Sequence, residues 1–416
     1  MLLCQSLSVF FGVSLVKIMG PGSDGQVDPD QRAGSASGHF HGCNGLAGID
    51  CRVMHELEDG DMTLPLGIIE GFYGPLWTWQ ERRSLVSTLA PHGYDFYLYA
   101  PKADPFLRRR WQEPHGPAET AELAAFGRFC REQGVRFGVG LSPYEVFNRF
   151  DDDAREALAR KLSWMERLDI DELAILFDDM RSDIPGLANV QSDIVHWIRD
   201  RIDVNALSVC PSYYSDDPVL DRVFGERPSD YLPSLGKSLD PAINVFWTGE
   251  EVCSREITPG HLRRVGDLLG RKPVLWDNYP VNDGDRMSRH LHLRAFTGRP
   301  AANAAYLAGH AINPALQPTL TAVPALTLAE SYRRGPDYQY GQAFRHAAKE
   351  VLGQDLAHQL LTDLLVLEDA GLNRISDEKR QSLQHTYDAF DHPAANEVLR
   401  WLAGEYQVTD EMVATQ

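Results

Sequence analysis

From Leu66 onward, short apolar runs alternate with longer amphipathic stretches, and this rhythm is what most narrows the folds open to the chain. A short apolar run suits a strand buried on both faces, and an amphipathic stretch suits a helix that covers one of those faces. Regular alternation of the two is the pattern of βα units in a parallel sheet. The expected strands are Leu66 to Glu70, Phe96 to Ala100, Arg136 to Leu141, Leu173 to Phe177, Ala206 to Cys210, Ile243 to Trp247, Pro273 to Trp276 and Ala304 to Leu307. Helical segments are expected between them at Glu81 to Pro91, Glu119 to Gln133, Ala154 to Leu168, Asn189 to Ile202 and Thr258 to Leu269. Eight such units over about 250 residues match a (β/α)8 TIM barrel in size and count. An open doubly wound sheet would carry a glycine-rich phosphate loop at its first turn, and Gly71-Phe72-Tyr73-Gly74 has neither GxGxxG nor GK[ST].

After Thr327 the strand rhythm stops and helical periodicity takes over, most clearly at Tyr340 to Leu352, Leu356 to Ala370 and His392 to Tyr406. The expected organisation is therefore a leader at 1–61, a barrel at 62–327 and a C-terminal helical region at 328–416. Residues 21–61 are rich in Gly, Asp, Ser and His without a period and read as a disordered leader. A start codon placed too far upstream would add such a stretch, with Met62 as the alternative start. The apolar run Ser8 to Ile18 has no Lys or Arg before it and no clear cleavage site after it, and it is short for a membrane span.

A formal net charge of −19 argues against nucleic acid or an anionic membrane as partner. The basic cluster Arg108-Arg109-Arg110 reads as a solvated helix face or a local anion ligand. Six cysteines without CxxC spacing fit reduced thiols in a cytoplasmic protein better than a zinc site or a disulfide framework. Cys130 and Cys210 sit in apolar runs and read as core.

In such a barrel the active site is built at the C-terminal ends of the strands. Those ends carry Glu70-Gly71-Phe72-Tyr73-Gly74, Tyr99-Ala100-Pro101-Lys102, Ser142-Pro143-Tyr144, Asp178-Asp179, Pro211-Ser212-Tyr213-Tyr214, Thr248-Gly249-Glu250, Trp276-Asp277-Asn278 and, a little further on, Asn313-Pro314. Asp178-Asp179 stands out, because neighbouring carboxyls resist joint ionisation and can divide the roles of acid and base. Two consecutive side chains serve one pocket only where the strand ends and the chain bends. Read alone, the pair also fits a helix N-cap. Lys102 offers a fixed cation or reads as a surface ion pair; Asn278 and Asp283 offer hydrogen bonds to hydroxyls; Trp276, Tyr214 and Trp247 offer apolar walls for a sugar face, with core packing as the alternative for Trp276. A metal-dependent hydrolase would need converging His or carboxylate ligands. His290 and His292 form an HxH, but it lies in an Arg-rich segment between the seventh and eighth strands with no second ligand set at a strand end beside it, so no metal and no cofactor is expected.

Together these stretches resemble a known family. Gly67-Ile68-Ile69-Glu70-Gly71-Phe72-Tyr73-Gly74-Pro75-Leu76-Trp77, Tyr99-Ala100-Pro101-Lys102, Phe177-Asp178-Asp179, Trp247-Thr248-Gly249 and Trp276-Asp277-Asn278-Tyr279 with Asn282-Asp283 are similar, in order, to the motifs of glycoside hydrolase family 84. Its members are β-N-acetylglucosaminidases, including protein O-GlcNAcases and enzymes called hyaluronidases. The resemblance covers Leu66 to Pro314. It implies a retaining, substrate-assisted mechanism on a β-GlcNAc-containing glycan or glycoprotein. Asp178 would hold the substrate's acetamido N–H. Asp179 would be general acid and then base, with a pKa raised by the adjacent anion. The Gly71 carbonyl, Lys102, Asn278, Asp283 and Asn313 would bind sugar hydroxyls, Tyr214 would support the intermediate, and Trp276 with Thr248 would line the acetamido pocket.

Ala103 and Glu250-Glu251 depart from many relatives, which bears on contacts beyond the first sugar. No carbohydrate-binding module or acetyltransferase-like domain is expected. The competing readings are a non-catalytic glycan-binding barrel, an endo-acting hyaluronidase-like hydrolase and a metal-dependent hydrolase. Oligomeric state is not legible.

Overall fold

The computed structural model describes residues 64–416; the leader and the apolar run Ser8 to Ile18 lie outside the described residues. Eight parallel strands close into a barrel in sequence order. They are β1 (Leu66–Glu70), β2 (Tyr94–Tyr99), β3 (Arg136–Leu141), β4 (Glu172–Leu176), β5 (Ala206–Cys210), β6 (Asn244–Trp247), β7 (Val274–Asp277) and β8 (Gly309–Ile312). Closure is made by β1 against β8, with Leu66, Gly67 and Ile68 opposite His310, Ala311 and Ile312. Every residue of β1, β4, β7 and β8 is buried, as strands sandwiched between a packed barrel interior and a helical coat should be.

The coat begins with α1 (Trp79–Leu89), α2 (Pro117–Glu132), α3 (Asp152–Glu166), α4 (Leu187–Arg199), α5 (Pro218–Phe224), α6 (Tyr231–Ser238), α7 (Pro259–Leu269) and α8 (Pro318–Arg334). Their starts are written in the sequence. Thr78 and Glu81 form a capping box on α1, Asp151 caps α3, and Thr258 caps α7 with proline at the first helical position. Such caps satisfy backbone N–H groups that a helix leaves open and each is worth about 1 kcal/mol.

The eighth strand is the one correction to the expected rhythm. Ala304 to Leu307 falls in a 3₁₀ segment, Ala301–Tyr306, and its apolar Leu307 packs into a small satellite cluster with Ile257, Leu262 and Leu275. The true strand is Gly-His-Ala-Ile, and His310 interrupts its apolar character. That histidine is fully buried, with Nδ1 2.8 Å from the Tyr332 hydroxyl and Nε2 3.1 Å from Asp277 Oδ2. A polar side chain with both nitrogens satisfied inside the fold looks like a break in the pattern until its partners are known.

Beyond the barrel come α9 (Tyr340–Leu364), α10 (Asp377–Asp388), α11 (Pro393–Leu402) and α12 (Asp410–Thr415). Gly353, at φ 74° and ψ 175°, breaks α9 into two helices where the periodicity places a gap between Leu352 and Leu356. α11 packs on α8, and Glu397 accepts bonds from the Thr319 and Leu320 N–H groups at the start of that helix, at 2.8 and 2.9 Å.

Candidate active site

Beyond β4 the chain runs through Phe177 into Asp178 and Asp179, and Asp179 takes φ +84°, a left-handed conformation uncommon for a residue with a side chain. In continued extended chain the two carboxylates would point to opposite faces. The turn at Asp179 instead brings both beside one cation. Lys102, buried at the end of β2, makes a short contact with Asp178 Oδ2 and lies 3.9 Å from Asp179 Oδ2. Lys102 is thus an interior ion-pair partner, not a surface one. Asp178 Oδ1 is buried and has no hydrogen-bond partner among the described residues.

Asp179 is held from several sides. Its Oδ1 accepts from the Tyr214 hydroxyl at 2.8 Å and its Oδ2 from the Tyr73 hydroxyl at 3.0 Å, while Arg108 Nη2 donates to its backbone carbonyl at 3.2 Å. Burial alone would raise its pKa, but Lys102, Arg108 and the two phenols outweigh burial and hold the carboxyl below its ordinary value. This corrects the sequence expectation of a raised pKa. Lys102 sits directly on Asp178 and offsets the neighbouring negative charge that was to keep Asp179 protonated. Tyr73 and Tyr214 are themselves driven well above the usual phenol range, by burial first and by the two aspartates next, so both remain donors.

Of the remaining expected site residues, Asp283 and Thr248 bond to Tyr73 and Tyr214 of this network, while Asn313, Asn278, Gly71 and Trp276 form a second one. Asp283 Oδ2 accepts the Tyr73 N–H at 2.9 Å, and burial pushes its pKa up to about 6. Asn313 accepts from the Gly71 N–H at 3.3 Å and donates to Asn278 Oδ1 at 3.0 Å; Trp276 Nε1 donates to the same oxygen at 3.1 Å. A side chain at position 71 would begin 2.3 Å from the Trp276 indole, so only glycine lets the ring lie flush against this turn. Thr248 is buried, and its hydroxyl lies 3.3 Å from the Tyr214 carbonyl. Of the neighbouring tyrosines, Tyr213 turns away to donate to the Gly225 carbonyl at 2.7 Å.

Trp247 does not wall the pocket. It is fully buried, stacks on His261 of α7 and donates to that imidazole at 2.9 Å, so it packs the barrel against its coat. Arg108 is not a solvated residue either; it is 2% exposed and reaches the acid pair. Tyr73, which has no role legible from its motif, bonds Asp179 through its hydroxyl and Asp283 through its N–H. Nothing in Arg108-Arg109-Arg110 marks which arginine turns inward; only Arg110, paired with Glu113, lies fully on the surface. His290 and His292 bond to the carbonyls of Glu368 and Pro280, and no group of potential metal ligands occurs among the described residues. Cys130 and Cys210 are buried, as their apolar surroundings suggest.

A parallel eight-stranded barrel with a carboxylate pair, a buried lysine, amide side chains and an indole at the C-terminal rim is the arrangement of the (β/α)8 glycoside hydrolase class. Comparison with known proteins specifies which kind. The family model for β-N-acetylglucosaminidase matches residues 66–364. Protein O-GlcNAcase of Mus musculus and that of Rattus norvegicus are each 30% identical over 276 residues, which is 64% of this chain and 30% of theirs. The chain thus spans under a third of the length of these relatives. A mutant of the O-GlcNAc hydrolase of Thermobaculum terrenum superposes with TM-score 0.67 at 27% identity, covering 82% of this chain and 80% of the other. The structure of CpGH84B shares the fold, at TM-score 0.64 and 20% identity over 82% of this chain and 66% of that one. The chain belongs to the β-N-acetylglucosaminidase family, glycoside hydrolase family 84. No helix among the described residues is long and apolar enough to cross a membrane.

Proposed function

We propose that the protein is a retaining, exo-acting β-N-acetylglucosaminidase that uses its substrate's own acetamido group as nucleophile and removes terminal β-linked GlcNAc, including O-GlcNAc on cytoplasmic proteins. The carrying observation is the unpartnered, buried Asp178 Oδ1 beside an Oδ2 already held by Lys102. That oxygen is an acceptor waiting for a donor, and an acetamide N–H is such a donor. Both carboxylates also lie on one lysine, which leaves Asp179 beside the acid that would hold the acetamide.

In this reading the acetamido carbonyl oxygen attacks the anomeric carbon as the bond to the aglycone oxygen breaks. Asp179 gives its proton to that oxygen, and Asp178 accepts the N–H hydrogen bond that sharpens the attacking carbonyl. An oxazoline forms. Asp179, now anionic, takes a proton from water, the water adds to the anomeric carbon, and the ring opens with net retention. The lowered pKa of Asp179 suits its second role, as base. Asp283, Asn278, Asn313, Lys102 and the Gly71 carbonyl hold the sugar hydroxyls, Tyr214 steadies the intermediate, and Trp276 with Thr248 encloses the acetamide. Residues 62–327 are the catalytic unit and 328–416 its helical support.

The test is a substrate panel on the purified protein: an O-GlcNAc peptide, chitobiose and hyaluronan fragments, with a thiazoline mimic of the oxazoline as inhibitor. Release of GlcNAc from the peptide, blocked by the thiazoline, is expected. Sugar binding without turnover would make the barrel a lectin-like module. Cleavage confined to hyaluronan would make it an endo-acting hydrolase, and loss of activity to a chelator would point to a metal.

A further inference from the structure

We propose that Arg108 is a positioning residue for Asp179, fixing the backbone turn that brings the second carboxylate into the pocket, and that the C-terminal segment through Gln416 holds Arg108 in place. The proposal rests on the reading of Asp179 as proton donor.

Two observations meet at this guanidinium. The first is the strained backbone at Asp179, at φ +84°. A non-glycine residue in that region is strained and persists only where its surroundings over-determine it. The carbonyl of Asp179 is the group that such a turn redirects, and Arg108 Nη2 donates to it at 3.2 Å. The same Nη2 lies 3.4 Å from the Tyr73 hydroxyl, which in turn donates to Asp179 Oδ2. One amino group therefore holds both the backbone of Asp179 and the phenol that orients its carboxylate.

The second observation is how Arg108 is itself anchored. Nη1 donates to Ser142 Oγ at 3.0 Å and Nε to the main-chain oxygen of Gln416 at 3.2 Å. The Gln416 side chain accepts the Gly74 N–H at 2.8 Å, and Arg109 donates to the Ala414 carbonyl at 2.8 Å. Upstream, the Val408 N–H donates to Ser288 Oγ at 3.1 Å. The segment from Val408 to Gln416 thus ties the loops after β1, β2 and β7 together across the rim. Only a planar fork with donors in fixed directions serves Ser142, Gln416 and Asp179 at once; an ammonium supplies the charge without the geometry.

The experiment compares Arg108→Lys, Arg108→Met and Asp179→Asn with the wild type on two N-acetyl-β-glucosaminides. One releases a dinitrophenol, which departs without a proton, and the other a methoxyphenol, which needs one. Misplacing a reacting group by an ångström can cost about 100-fold. Both Arg108 variants are therefore expected to lose about 10- to 100-fold more kcat/KM on the methoxyphenyl than on the dinitrophenyl substrate. Asp179→Asn should show the same selectivity, more strongly. The dinitrophenyl rate doubles as the check on folding, and Arg108→Lys is read if Arg108→Met does not fold. Equal losses on both substrates, or full activity in Arg108→Lys, overturn the positioning role while the donor assignment stands on Asp179→Asn. Absence of selectivity in Asp179→Asn overturns the donor assignment, and the proposal with it.

Discussion

Asp277, at the end of β7, and Asp178-Asp179, just past β4, are acids at the same end of one barrel with opposite surroundings. Asp277 accepts from Arg299 Nε and Nη2, both at 2.7 Å, and contacts His310 Nε2 at 3.1 Å. Glu70, at the end of β1, is likewise clasped by Arg82 at 2.6 and 2.8 Å. These carboxylates are saturated by arginines of the outer layer and stitch the barrel to its coat. Asp178 keeps an oxygen without a partner, and Asp179 sits on a strained backbone. A buried acid with every lone pair engaged is structural; a buried acid held ready but incompletely bonded is where a substrate gains most.

The largest expected effect that tests this contrast is on activity. Asp179→Asn should lower turnover by about 10²- to 10⁴-fold, the range of general acid–base catalysis, with the thermal midpoint nearly unchanged. Substituting at the other acid's partner should do the reverse. Arg299→Met leaves the buried Asp277 with only His310 beside it, and should cost about 3–5 kcal/mol in denaturant unfolding. A large stability loss in the first variant, or none in the second, would break the comparison.

Acid titration sharpens it. Burial would raise the pKa of Asp277, but Arg299 and His310 outweigh it and hold the value down at about 2. Its contribution to stability is present above the ordinary carboxylate range and lost as pH falls toward 2. Asp283 has the opposite sign: burial raises it to about 6, so the folded state favours the protonated form and loses stability as pH rises through 6. Asp283→Asn removes that loss. The variant should be more stable than wild type at pH 8 by up to about 3 kcal/mol, with the gain gone below about pH 4. Thermal melts across that range would check it, with weaker substrate binding as the accompanying cost.

The smallest effect is expected from Tyr73→Phe. It deletes a hydrogen bond to the anionic form of Asp179, so the pKa of that acid rises. The protonated donor then survives to higher pH, and the basic limb of the kcat/KM profile should move upward. A shift downward would contradict the assigned role.

Much of the barrel was legible because burial on both faces leaves a run of apolar residues in the sequence. Seven strands and the helices α1 to α4 and α7 follow that logic, and Gly353 announces its break. β8 escaped because His310 satisfies its polarity through Asp277 and Tyr332, partners 33 and 22 residues away. The candidate residues at strand ends were chosen by type and position; Asp178, Asp179, Lys102, Tyr214, Asp283 and Thr248 fall in one bonded group, and Asn278, Asn313, Trp276 and Gly71 in a second. Trp247 was misread because an indole at a strand end gives no hint of which face it takes.

The chain by itself determined the repeat that closes a barrel and the chemical groups at its rim, since both depend on local pattern and on where a strand stops. Tertiary structure decided which of those groups are saturated and which are left open. It paired Asp277 with Arg299, seated Lys102 on Asp178, lowered the pKa of Asp179 and carried Gln416 back to Arg108 across 308 residues. Those outcomes depend on distances between segments far apart in sequence, and electrostatics and hydrogen bonding answer to distance in space.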